Sequence, residues 1–100
     1  MRSLLAWVAL CGMASAAGAP DPVALQNLVH QDCGSCHGMT LKGGLGPDLR
    51  AKTLAHYDPQ VLSGVILDGI DGTAMPPWRP LISEAEAQWI ADYLLKGDTP

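Results

Sequence analysis

The chain has 100 residues, with 6 Lys plus Arg against 10 Asp plus Glu and a formal net charge of −4; it holds three Trp, two Tyr and no Phe. That length allows one small domain, and the absence of a basic patch sets nucleic acid aside as a partner. A core this small needs a staple, whether a disulfide, a metal or a bound group.

The first residues carry an export pattern. Arg2 is a short positive region, Leu4–Leu10 a short apolar run, and Ala14-Ser15-Ala16 a small-x-small cleavage site; Ala17-Gly18-Ala19 is a second site, weakened by Pro20. Residues 1–16 read as a secretory signal peptide, with cleavage between 16 and 19, and residues 17–100 as the mature domain. The apolar run is too short to span a bilayer. Cys11 follows Leu10, where lipid modification wants a small residue, so it reads as a cysteine lost with the leader, and no membrane anchor is expected. Removing the leader takes away Arg2 and no acid, so 5 basic residues face 10 acidic ones and the net charge becomes −5. An acidic protein suits a partner with a positive face. Cys33 and Cys36 are the mature cysteines, and in an oxidising compartment they would pair unless something else uses them.

Asp21-Pro22 predicts a helix start, with Asp as N-cap and Pro at the first helical position. Leu25, Leu28 and Val29 then form an apolar face, and the helix should run towards Cys33. His30 lies in it and reads as a partly exposed helix residue rather than a metal ligand. Next comes Cys33-Gly34-Ser35-Cys36-His37, the pattern by which c-type haem is attached. Each thiol can add across one haem vinyl group, and the following His37 can present its imidazole to the iron. A zinc site would want four ligands, and no second Cys pair follows. A thioredoxin-like redox motif would want a strand-rich setting, and none is predicted.

Gly38–Pro47 reads as a glycine-rich loop. A ligating histidine needs its second nitrogen hydrogen-bonded, and the Pro47 carbonyl is assigned that role towards His37. Met39 is too close to His37 to reach the far side of the iron and is assigned to haem-edge packing. Leu49–His56 predicts a short helix, with Leu49 and Leu54 inward and His56 at the surface. Asp58-Pro59 repeats the start signal. Val61, Leu62, Val65 and Ile66 make a stripe expected to cover one haem face, and Gly69 ends it.

Gly69–Pro80 is again loop, and Met75 sits in it. Core packing seldom places methionine in a polar, proline-rich loop, and thioether sulfur is a good ligand for haem iron. Met75 therefore reads as the distal iron ligand; the alternative is packing at the haem edge with the sixth iron position open. The last helix opens on a capping box, Ser83 with Glu86. Ala87, Ile90, Ala91 and Leu94 point inward, Trp89 and Tyr93 lie one turn apart, and Gly97 ends it. This helix should pack on the first. The tail after it should fray.

Three blocks now stand in order: Cys33-Gly34-Ser35-Cys36-His37-Gly38, Gly46-Pro47-Asp48-Leu49 and Gly72-Thr73-Ala74-Met75-Pro76. With them the mature chain resembles a class I monohaem cytochrome c. The resemblance implies an all-α fold of short helices around one covalently bound haem, with the N- and C-terminal helices crossed. It also implies thioethers at Cys33 and Cys36, His37 as proximal and Met75 as distal iron ligand, and Pro47 in support of His37. The stretch Asp32–Pro47 together with Met75-Pro76-Pro77-Trp78 is similar to the small NirC-type cytochromes, cytochrome c55X, of denitrification gene clusters. That similarity implies a periplasmic carrier of single electrons, not an enzyme, with cytochrome cd1 nitrite reductase as partner. The alternatives are an accessory redox factor in d1-haem maturation, or a haem enzyme or sensor with an open sixth iron site. Docking would use an apolar rim of Met39, Leu41, Leu45, Pro76 and Pro77.

Overall fold

The Asp21 carboxylate opens the first helix, accepting from the amides of Val23 at 3.1 Å and Ala24 at 3.3 Å. This helix, α1, spans Pro22–Leu28 and continues without a break through a π-helical turn, Val29–Cys33, into α2, Gly34–His37. The computed structural model describes residues 19–97, and no strand occurs among them. The expected leader, its cleavage site and Cys11 lie outside the described residues, as do residues 98–100 of the tail. No described helix is long and apolar enough to cross a membrane.

The π turn was not legible in the residue pattern. The Gly34 amide reaches back to the Val29 carbonyl, one residue further than in an α-helix. One inserted residue turns everything after it by about 100° around the helix axis. The face carrying Leu25 and Val29 and the face carrying the attachment motif can thus be set independently. Leu25 and Val29 are both buried.

Asp58 caps the next long helix through the Gln60 amide, at 2.8 Å. Short α3, Ala51–Leu54, precedes this helix, α4, Pro59–Asp68. The closing helix α5, Glu84–Lys96, carries the complete capping box and ends at Gly97 in the left-handed conformation. It is the hub of the fold, packing against α4, α3 and α1. Its inward residues Ala87, Ile90, Ala91 and Leu94 are all buried, as the spacing predicts.

The side of α4 packed into the core is Leu62, Ser63, Ile66 and Leu67, so Leu62 and Ile66 of the predicted stripe are in the core, while Val61 is 56% exposed. One expectation needs correction. Leu41, assigned to the docking rim, is fully buried instead. Its φ of 62° turns the loop so that the side chain enters the core, and its carbonyl accepts from the Leu49 amide at 2.9 Å. A left-handed leucine costs on the order of 1–3 kcal/mol, and burial of the side chain, worth about 1.5–3 kcal/mol, offsets it.

His30 is half-buried and tied across the fold. Its Nε2 is hydrogen-bonded to Tyr93 Oη at 2.9 Å, with the two rings edge to face, and Tyr93 stacks on Trp89 at 5.1 Å. This joins α1 and its π turn to α5. Tyr93→Phe should keep the stack and cost about 1 kcal/mol through the lost hydrogen bond. Guanidinium unfolding of the holoprotein measures this, and an unchanged midpoint would mean that the contact contributes nothing to stability.

Candidate functional site

The attachment motif begins in the π turn and ends at the C-terminus of α2, so Cys33, Cys36 and His37 fall within about one turn of helix. Both thiols are unpaired and half-buried. Burial, with Asp32 and Cys36 nearby, pushes the Cys33 thiol up to about 11. A thiol-redox cysteine is shifted the other way. Among the described residues no group of three or more His, Cys, Asp or Glu side chains could hold a metal ion.

His37 leaves the end of α2 and meets a turn folded back over it. The Gly46 amide donates to the Cys36 carbonyl at 2.7 Å and the Gly43 amide to the His37 carbonyl at 2.8 Å. The Pro47 carbonyl then lies 2.7 Å from His37 Nδ1. A carbonyl can only accept, so Nδ1 carries the proton, and in the neutral ring the lone pair is on Nε2. This is the arrangement a metal-ligating histidine needs. Gly46 lies flat against the imidazole: a Cβ there would fall 2.7 Å from His37 Cε1 and 2.8 Å from Nδ1. The ring is thus seated from one side by bare backbone. A haem with its iron fits this donor set, which pairs a free imidazole nitrogen with two adjacent thiols.

Met75 is half-buried in a loop built onto the C-terminal end of α4. The Thr73 hydroxyl donates to the Ile70 carbonyl at 2.7 Å and accepts from the Met75 amide at 3.2 Å. The Ile70 amide reaches the Met75 carbonyl at 3.3 Å. Further on, the Trp78 amide donates to the Ile66 carbonyl at 3.1 Å and the Arg79 amide to the Leu67 carbonyl at 3.0 Å. Arg79 also pairs with Asp68 at 2.9 Å and Glu84 at 3.4 Å, holding the Asp68 carboxyl below its usual range. Gly69, with φ 69° and ψ −172°, lies against this loop: a Cβ would come 2.7 Å from the Met75 carbonyl oxygen and 2.8 Å from the Pro76 carbonyl carbon.

The remaining candidates fall elsewhere. His56 is exposed and lies beside the Tyr57 ring at 4.5 Å. Met39 is 65% exposed, and a Cβ on Gly34 would lie 3.4 Å from its sulfur, so it stands beside the attachment motif. Leu45 is 84% exposed. Residue patterns missed the close approaches of Gly46 and Gly69, since both depend on partners distant along the chain or on backbone angles. They also missed a fork between Asp48 and Arg50, although the spacing of an Asx turn hinted at it.

A protein family described as cytochrome C oxidase, cbb3-type, subunit III, matches residues 20–94. A cytochrome c55X of Paracoccus denitrificans is 55% identical over 98% of this chain and 97% of its own. A cytochrome c55X of Pseudomonas aeruginosa is 46% identical over 74% of this chain and 62% of its own. A dihydro-heme d1 dehydrogenase from the same organism is 33% identical over 88% of this chain but only 17% of its own length. Among solved structures, a c-type cytochrome NirC superposes with a TM-score of 0.78 at 42% identity, covering 81% of this chain and all of that one.

Proposed function

Because the chain belongs to the NirC-type cytochrome c55X family of c-type cytochromes and so carries covalent haem c, we propose that it is a periplasmic carrier of single electrons, not an enzyme, and delivers them to a cytochrome cd1 nitrite reductase. The observation that carries this reading is the His37–Pro47 contact beside the Cys33 and Cys36 side chains. When bound, the haem supplies a one-electron couple between ferric and ferrous iron. Cys33 and Cys36 tether it through thioethers. His37 offers Nε2 to the iron while Nδ1–H is donated to Pro47, which fixes the ring and makes the ligand more basic. Met75 would offer its thioether to the iron, and Pro76 and Pro77 would stiffen the segment that presents it. Methionine with histidine ligation raises the reduction potential and so favours the ferrous state. The leader, residues 1–16, would bring the chain to the periplasm, with residues 17–100 as the mature domain. Met39, Leu45, Pro76 and Pro77 would form the rim for a brief redox encounter, the class with small interfaces.

One observation favours a second reading. A domain like this chain forms part of the dihydro-heme d1 dehydrogenase of Pseudomonas aeruginosa. The chain could accordingly serve as a redox accessory in d1-haem maturation. Deletion of its gene separates the two. A nitrite reductase that keeps its d1 haem, with slowed nitrite reduction restored by added reduced protein, is the expected result. A reductase isolated without d1 haem would overturn the carrier reading in favour of maturation.

A further inference from the structure

The turn that presents the Pro47 carbonyl has its own lock. Asp48 Oδ1 accepts from the Arg50 amide at 2.7 Å, and the Arg50 guanidinium forks onto the same carboxylate, with Nε at 3.1 Å from each oxygen and Nη2 at 2.7 Å from Oδ2. The side chains are only 21% and 37% exposed, for Asp48 and Arg50 respectively. On either side the turn is held by backbone, from Gly46 to Cys36 and from Leu49 to Leu41. Between those bonds lies the peptide joining Pro47 to Asp48. Its plane carries the carbonyl that meets His37 Nδ1 at 2.7 Å. A side chain fixed one bond from that plane restricts its rotation, and bidentate geometry restricts it more than a point charge does.

We propose that the Asp48–Arg50 fork is a positioning clamp: it aims the Pro47 carbonyl at His37 Nδ1 and thereby sets the donor strength of Nε2 and the reduction potential of the haem. This rests on the reading of His37 as an iron ligand. A well-aimed acceptor draws on the Nδ1 proton and makes Nε2 a stronger donor, which favours the ferric state. Loosening the clamp weakens that donor and raises the potential. The guanidinium holds the Asp48 carboxyl well below the usual carboxylate range, so the fork persists throughout neutral and mildly acid solution.

Charge alone makes the opposite prediction for one variant, and that decides the matter. Arg50→Ala removes a positive charge; a simple field effect favours ferric iron and lowers the potential. The clamp requires Arg50→Ala to raise it, as Asp48→Ala also does. Redox titration of the holoprotein reads both, with Arg50→Gln as the substitute if the alanine variant does not accumulate. Exchange of the His37 Nδ1 proton, followed by NMR in the ferrous protein, should quicken in each variant. An Arg50 variant whose potential falls or stays put overturns the clamp while leaving His37 as ligand. A His37→Ala holoprotein that retains the wild-type low-spin spectrum overturns the ligand reading itself, and the clamp with it.

Discussion

Gly46→Ala is expected to damage the His37 site far more than one methyl group ordinarily would. The added carbon would lie 2.7 Å from Cε1, 2.8 Å from Nδ1 and 3.2 Å from Nε2 of the imidazole, all well inside contact distance. Either the ring or the turn must move. If the ring moves, the 2.7 Å bond to Pro47 is lost. If the turn moves, the Gly46–Cys36 backbone bond goes with it. Overpacking of this kind costs about 1–3 kcal/mol. Holoprotein should accumulate poorly, unfold earlier in guanidinium and show a raised reduction potential. A Gly46→Ala protein with wild-type stability and potential would show that the ring has room the structure denies it.

Gly69→Ala should act on the other proposed ligand. With φ 69° and ψ −172°, Gly69 occupies a region open essentially to glycine alone. A Cβ would also meet the Met75 carbonyl oxygen at 2.7 Å, the Pro76 carbonyl carbon at 2.8 Å and the Pro77 nitrogen at 2.9 Å. These are backbone atoms, so no side chain can swing aside. Strain and clash together should cost roughly 2–4 kcal/mol. The Met75 loop should detach from the end of α4. Ferric protein should then lose the weak red band of sulfur-to-iron charge transfer, and ferrous protein should gain carbon monoxide binding, matching Met75→Ala. Retention of the band in Gly69→Ala would mean that this contact does not place Met75. Retention in Met75→Ala would remove Met75 as ligand and bring forward a sensor or enzyme with an open iron position.

Much of the architecture was legible because it is written locally. Asp21, Asp58 and the Ser83–Glu86 box announce helix starts through bonds that reach no more than three residues. The inward face of α5 follows from its period because its opposite side is polar. The attachment motif is equally local, since two thiols and an imidazole must lie within one turn to serve one haem. What escaped depends on distant partners. His30 reads as an ordinary helix residue until Tyr93 arrives from the far end of the chain. Leu41 looks like a rim residue until its backbone angle sends it inward. Gly46 and Gly69 were visible as a motif glycine and a helix stop. That each is the floor beneath a candidate ligand depends on contacts that residue type alone does not disclose.

Main-chain groups fasten the Met75 loop at three points, Ile70 to Met75, Ile66 to Trp78 and Leu67 to Arg79, beside the bonds of the Thr73 hydroxyl. Bonds of that kind are blind to most side chains, yet each requires its partner at a fixed count along the chain. Apart from Gly69, Gly72 and Thr73, the stretch from Gly69 to Trp78 should therefore accept substitutions at its exposed positions more readily than a change in length. Adding or deleting a single residue would put every later amide opposite the wrong carbonyl, shifting the methionine out of place while leaving the composition almost untouched. For this segment the information lies in the ruler rather than in the letters.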